Sequence, residues 1–406
     1  MSDLASAAVE RVYREHRARM LAALVRALGD FELAEDALQE ACSQALRKWP
    51  RTSVPDDPFA WLLTVARNHA LDRLRHARMA RTKLPTPPAP VTMTEKQLVD
   101  LGDERLSLIF TCCHPALAED ARLALTLQAV AGFTAAQIAR TFLVAESALA
   151  QRLVRAKRKI RDAGITFEVP ADHLLPERLQ GVLGVLYLIF TRGYTTADAP
   201  LRAEALRLGR LVAALMPDEP EAHGLVALML LHDSRSAARL TPDGDLVLFE
   251  DQDRTLWDTD KISEGMALLD RALRFGSPGP YVLHAVIAAL HVQDPVDWER
   301  VVALYAELLS VAPTSVVELN HAVAVAMARG PAAGLELMDG ITGLDSYHLL
   351  HSARADLLRR LDRRPEAVAA YRVALELAVS AADRRFLAAR LRSLEVSTES
   401  RKNLAD

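Results

Sequence analysis

Aromatic side chains make up only 5% of the 406 residues, and there are three cysteines. Ala and Leu are abundant while β-branched and aromatic residues are few, so helix is expected to dominate. Cys42, Cys112 and Cys113 cannot build a disulfide framework, which points to a reducing compartment. The apolar run at residues 185–190, like the others in the chain, falls well short of the roughly 20 residues that span a bilayer, so no membrane segment is expected. The opening MSDLASAAVERVYREHR is charged and amphipathic and lacks the form of a signal peptide. These absences make a cytoplasmic protein the expectation. The net charge of -4 excludes a general polycation, so a nucleic-acid surface must be local and offset by acidic surface elsewhere. The length suits two to four domains. No catalytic residues and no cofactor are expected.

What the chain does have is a helix-turn-helix pattern over residues 132–161, GFTAAQIARTFLVAESALAQRLVRAKRKIR. Thr134 and Gln137 have capping-box spacing, and Phe133 and Ile138 fit a hydrophobic staple. The first helix runs to about Phe142; Leu143, Val144 and Ala145 make the turn. In the second helix Leu149, Leu153, Ala156 and Ile160 share one face and pack inward. Ser147, Gln151, Arg155 and Arg158 lie opposite, flanked by Arg152, Lys157, Lys159 and Arg161. A polar start and a cationic end suit a helix that reads base edges and holds phosphates. A helical hairpin with a solvated basic face is the plainer alternative.

Upstream, an amphipathic helix over residues 9–28 ends at Gly29, and Asp30 can cap the next, FELAEDALQEACSQALRKW. Its acids gather in the first turns, where the helix dipole favours them. Asp36 and Glu40, with Gln39 beside them, share an exposed face; this suits a basic partner or simple solubility. A loop over residues 49–58 follows, then FAWLLTVARNHALDRLRHARMAR. Arg67, Arg73, Arg75, Arg78, Arg81 and Lys83 face a single acid, Asp72. Basic charge beside Trp61, Asn68 and His69 suits a nucleic-acid face, although Trp61 fits a core equally well. Residues 84–91, LPTPPAPV, form an extended spacer. Next come two helices, at residues 103–112 and about 116–131. Cys112, Cys113 and His114 stand together, but adjacent cysteines are poor co-ligands for one tetrahedral zinc and no second ligand pair is visible. No metal site is expected there.

The run DFELAEDALQEACSQAL, the loop, and FAWLLTVARNHALDRLR together resemble region two of the extracytoplasmic-function sigma factors of bacterial RNA polymerase. Residues 132–161 resemble their region four, and the likeness covers about residues 5–165. The resemblance implies that Asp36, Gln39 and Glu40 dock on core RNA polymerase. It implies that the 49–58 loop, with Trp61, Arg67, Asn68, Asp72, Arg73 and Arg75, handles the promoter minus-ten element, a flipped base being held at the loop. Extruding a base costs a few kcal/mol, which backbone contacts from these arginines would help offset. Ser147, Gln151, Arg152, Arg155, Lys157 and Arg158 are the implied minus-thirty-five contacts. The proline spacer would pass through the RNA channel region of the polymerase. The chain departs from the common pattern at Ala145, where a Ser or Thr usually caps the recognition helix, and at Ala150, often basic or polar.

Beyond residue 170 the pattern is helical and repeats. AVAAYRVALELA, residues 367–378, has the A-x₃-Y-x₂-A-L spacing of a tetratricopeptide second helix. The aromatic-or-Leu position recurs at Tyr371, Leu337, Tyr305 and Leu269, near the 34-residue period of that repeat, and after a longer interval at Gly209. The long interval implies an insertion, residues 233–261, containing the turn at Pro242, Asp243 and Gly244 and the acidic stretch EDQDRTLWD. That stretch suits a metal or catalytic carboxylate cluster, a docking loop, or a loop ordered by its own Arg–carboxylate pairs. The first is weak, since no nucleophile or phosphate loop accompanies it. A subgroup of the same sigma factors carries a tetratricopeptide-like extension with a DQDR-like stretch, and the chain resembles it over nearly its whole length. This implies control of sigma activity by the extension, with Asp251, Gln252, Asp253 and Arg254 as a regulatory loop. A further protein or ligand is expected on the extension.

The expected architecture is therefore all-α: region two over 1–82, a linker over 83–100, region four over 101–166, and a tetratricopeptide-like domain over 170–406. The expected partners are core RNA polymerase and promoter DNA, with no membrane. The alternative is a one-component helix-turn-helix regulator with a tetratricopeptide sensor, acting without being a polymerase subunit; such a protein would not need the first segment.

Overall fold

In the computed structural model, residues 2–80, 104–142, 144–171 and 173–402 are described; the proline-rich spacer, Arg81 and Lys83 lie outside them, as do Leu143 and the side chain of Arg78. The described residues are all-α apart from short turns and one isolated bridge. They divide into two compact units, residues 1–188 and 189–406.

The first unit opens with three mutually packed helices, α1 (Ser2–Leu28), α2 (Phe31–Thr52) and α3 (Pro58–Ala80). Gly29, at φ +68°, ends α1, a backbone state that disfavours a side chain. Asp30 caps α2, accepting from the Leu33 N–H at 2.9 Å. The α1 helix starts at Ser2 rather than Val9. The loop expected over residues 49–58 is shorter, because α2 continues through Pro50 to Thr52. Trp49 is buried and holds that last turn in the core, and the Ser53 N–H closes on the Trp49 carbonyl at 3.1 Å. Met20, Leu21 and Leu24 of α1 and Leu62 and Leu63 of α3 are among the fully buried residues. Each such side chain contributes about 1.5–3 kcal/mol by leaving water.

Four more helices complete this unit's middle: α4 (Arg105–Cys112), α5 (Glu119–Ala129), α6 (Ala135–Phe142) and α7 (Glu146–Asp162). The α1 helix also packs on α4, and α2 on α7. The unit extends past residue 166 into α8 (Leu175–Thr195), where Arg178 donates to the Phe110 carbonyl at 2.9 Å.

The second unit runs through α9 (Ala199–Leu215), α10 (Pro220–Asp233), α11 (Thr259–Leu273), α12 (Pro280–His291) and α13 (Trp298–Val311). It continues through α14 (Ser315–Arg329), α15 (Pro331–Asp339), α16 (His348–Arg360), α17 (Arg364–Leu377) and α18 (Ala381–Lys402). Most of these helices pack on their neighbours in sequence, while α12 packs chiefly on α10, as in a stacked helical array. The repeat positions are unevenly filled. Tyr371 and Leu269 are buried and Tyr305 is half-buried, but Leu337 is 43% exposed; Leu335 and Met338 turn inward in its place. At Gly334 a Cβ would lie 2.4 Å from the Ala326 Cβ, so this glycine permits the close approach of α15 to α14.

Between α10 and α11 the helical rhythm breaks. Gly244, at φ +82°, turns the chain so that Leu240 and Leu246 form an antiparallel bridge. Two 3-10 turns follow, Phe249–Asp251 and Arg254–Leu256. Buried Asp233 anchors the start of the segment, pairing with Arg202 at 2.5 Å and Lys261 at 3.0 Å. Arg385 holds the hairpin through Asp245 at 2.6 Å and the Gly244 carbonyl at 2.5 Å.

Candidate nucleic-acid interface

The capping box forms: the Thr134 N–H donates to Gln137 Oε1 at 2.8 Å, and the Gln137 N–H donates to Thr134 Oγ1 at 3.2 Å. These two bonds satisfy N–H groups that the helix itself leaves unpaired. Ala145 occupies the cap of α7 in extended backbone and supplies no side-chain bond. Leu149, Leu153, Ala156 and Ile160 are buried. Ser147, Gln151, Arg155 and Arg158 are exposed, and neither arginine meets a carboxylate among the described residues. The geometry is therefore a rigid helix displaying a polar then cationic strip. Arg152 is partly drawn aside, its Nη1 lying 3.3 Å from Asp120.

Lys157 sits elsewhere. It is buried and paired with Glu35 of α2. Glu35 also meets Arg17 of α1 at 3.3 Å. The Arg17 guanidinium donates to the carbonyls of Gln128 and Ala129 at 2.6 and 2.7 Å, where a cation complements the C-terminal end of α5. One carboxylate thus holds two cations, joining α1, α2, α5 and α7. Sequence reasoning grouped Lys157 with the basic face and missed the roles of Arg17 and Glu35. A signal existed: Lys157 is four residues past inward-facing Leu153, on the flank of the buried stripe.

In the first segment Asp36 and Gln39 are exposed, and Glu40 is half-exposed and paired with Arg47 at 2.8 Å. Arg73 of α3 reaches across to Asp36 at 2.7 Å, so one residue expected at DNA and one expected at the polymerase meet. Asp72 pairs with Arg75 at 3.1 Å, and exposed Asn68 accepts from Arg67 at 3.2 Å. Trp61 is half-buried and packs edge-on against Trp49 with ring centroids 5.3 Å apart. Its ring is therefore shared between the core and the surface beside the 53–57 loop.

At the end of α4, Cys112 and Cys113 are buried, and burial pushes the Cys113 thiol up to about 11. A thiol so shifted stays protonated at neutral pH. His114 Nδ1 accepts from the Ala116 N–H at 3.1 Å, closing the turn after the helix.

In the second unit the 251–254 stretch is tied down by bonds within its loop and to the turn after α12. Asp253 accepts from the N–H and hydroxyl of Thr255 at 2.9 and 2.7 Å. Arg254 donates to the Gln293 carbonyl at 3.1 Å and lies 4.7 Å from the centre of the Trp257 ring. Gln252 is half-buried and Asp251 exposed.

Comparison with known proteins follows the same divisions. Residues 12–79 match the family described as Sigma-70 region 2, and residues 107–160 match Sigma-70, region 4. Residues 178–273 match a family of unknown function, DUF6596. The chain is 41% identical over 390 residues to an uncharacterized protein of Rhizobium meliloti, covering 91% of this chain and 92% of that one. It is 32% identical over 162 residues to the ECF RNA polymerase sigma factor SigL of Mycobacterium tuberculosis, or 38% of this chain and 88% of SigL. It is 33% identical over 182 residues to the probable ECF RNA polymerase sigma factor SigI of the same organism, 42% of this chain and 60% of SigI. No solved structure matches the chain.

Proposed function

We infer that this chain, which belongs to the extracytoplasmic-function sigma factors of RNA polymerase, directs core polymerase to specific promoters and starts transcription there. Its role in transcription initiation is that of its family. The finer assignments are ours. In this reading Asp36, Gln39 and Glu40 of α2 meet the polymerase. Trp61, Arg67, Asn68, Asp72, Arg73 and Arg75 of α3 work at the minus-ten element. Ser147, Gln151, Arg155 and Arg158 of α7 read the minus-thirty-five element, with Arg152 beside them. No residue is assigned a catalytic role, and the protein works in the cytoplasm, beside the polymerase.

One observation carries the reading. The free polar and cationic strip of α7 occurs in one chain with the acidic α2 and basic α3, an arrangement that a duplex-binding regulator does not need. Lys157 is assigned no DNA contact while it is paired with Glu35. The test is run-off transcription with purified core polymerase. A promoter-dependent transcript is expected. Tight binding to duplex DNA with no such transcript on any candidate promoter would make the protein a one-component regulator instead.

The helical array after α8 is proposed to control sigma activity. Its stacked helix packing and the buried Tyr371 support a tetratricopeptide-like reading. Of the 251–254 stretch, Asp251 is the residue free to touch the DNA-binding regions or the polymerase, since Asp253 is engaged by Thr255 and Arg254 by the Gln293 carbonyl. Asp251→Ala should alter promoter activation and cross-linking to those surfaces. No change in either would remove the loop from the control mechanism.

A further inference from the structure

Arg235, just after α10, is a half-buried guanidinium with no carboxylate partner among the described residues. Its Cζ lies 5.0 Å from the centre of the Phe249 ring and 5.9 Å from that of Trp257. The two rings stand 6.2 Å apart, tilted by 33°. Arg235 Nη2 reaches His232 Nδ1 at 3.3 Å, while Nε is enclosed and donates to nothing. Two more enclosed polar atoms of this segment lack a partner, Trp257 Nε1 and Gln252 Oε1.

The surroundings add positive charge without balancing it. Arg239 lies 4.2 Å over Tyr194 and bonds to the Tyr194 carbonyl, also without a carboxylate among the described residues. Arg254 has one carboxylate nearby, exposed Asp294 at 3.9 Å. Burial and the neighbouring arginine keep His232 and His291 neutral, so neither supplies a counter-charge. A cation held in this way is costly unless something pairs with it. Aromatic faces offset part of that cost and fix the plane of the guanidinium. A fixed guanidinium plane matches the two oxygens of a carboxylate or phosphate group.

We propose that Arg235, seated against Phe249 and Trp257, is the recognition residue of a binding site for a small oxyanion-bearing molecule. The ligand's carboxylate or phosphate pairs with the guanidinium and accepts the Trp257 indole N–H. Gln252 accepts from a hydroxyl or amine on the same ligand. The site lies in the insertion that carries Asp251. The inference does not depend on the sigma reading.

The test uses the full chain at constant ionic strength, with chloride as the control anion. Inorganic phosphate, acetate, succinate and citrate are titrated by tryptophan fluorescence and by calorimetry. A saturable one-to-one response is expected with phosphate or with a carboxylate, and the separate titrations tell these sources apart. Trp257→Phe should remove the fluorescence change, since Trp257 is one of four tryptophans and the one in contact with Arg235. Arg235→Gln should weaken binding by about tenfold or more, the usual scale for losing a charge-assisted hydrogen bond. If Arg235→Gln fails to fold, Arg235→Lys and Gln252→Ala replace it, each expected to weaken binding measurably. No response beyond chloride with any of the four anions overturns the proposal. So does unchanged affinity in the folded variants.

Discussion

Lys157 on the second helix of the helix-turn-helix and Glu35 on the acidic α2 form a buried ion pair across 122 residues of sequence. Arg17 shares the same carboxylate. Removing one partner of a buried pair leaves the other charge uncompensated. Glu35→Ala should therefore destabilise the first unit by about 3 kcal/mol, the low end for such a loss. Denaturant unfolding of the full chain, followed by Trp49 and Trp61, measures it. A change within about 0.5 kcal/mol would show that the cluster contributes nothing to stability.

The same contact bears on promoter recognition. Elements at minus ten and minus thirty-five lie about 85 Å apart along duplex DNA at 3.4 Å per base pair. With α2 held against α7, the α3 helix packed on α2 and α7 cannot reach both elements, so in the sigma reading the pair parts on binding. Glu35→Gln should then raise affinity for core polymerase and promoter together, while affinity for an isolated minus-thirty-five duplex changes little. Equal gains on both would mean that the pair does not limit opening.

Arg155 and Arg158 are exposed and meet no carboxylate among the described residues. Replacing either by Ala should leave stability within about 0.5 kcal/mol. Each loss should reduce the salt dependence of DNA binding by about one counterion. Fluorescence anisotropy over a salt series reads this directly; an unchanged slope in both variants would remove α7 from the phosphate contacts.

Ala145 holds the cap position of α7 in extended backbone with no side-chain bond. Ala145→Ser supplies the missing acceptor for a first-turn N–H and should stabilise the unit by about 1 kcal/mol. A higher Tm with unchanged DNA affinity is the expected result. A lower Tm would mean that the turn cannot admit the hydroxyl.

In the second unit, burial and Arg235 lower His291 to about 4, and burial lowers His232 and His284. The unfolded chain takes up these protons near pH 6.5, whereas the folded unit resists them. Stability is thus fully present above about pH 6.5 and falls as pH drops toward 4. Each histidine contributes up to about 1.4 kcal/mol per pH unit in that window. His291→Phe should flatten the decline, measured by denaturant midpoints between pH 7 and 4.

Local rules reached far in this chain. The Asp30 cap, the Thr134–Gln137 capping box and the inward stripe from Leu149 to Ile160 all stand where the sequence pattern puts them. They depend on neighbours three or four residues away, and sequence records those neighbours directly. The family resemblance was likewise carried by contiguous runs with their own order and spacing. The loop after Trp49 was misjudged because the last turn of α2 is held by burial of that ring, which outweighs the proline after it.

The partners of charged side chains were not legible in the same way. Whether Lys157 faces DNA or Glu35, whether Arg73 is free or meets Asp36, and whether Arg235 has a counter-charge each depend on residues distant in the chain. Sequence by itself determined the helices, their caps, their apolar faces and the family, because short-range hydrogen bonding and hydrophobic period specify them. Only the tertiary structure decided which cations are already paired and which remain available, because Coulomb attraction acts through space and long side chains reach whatever the packing brings near.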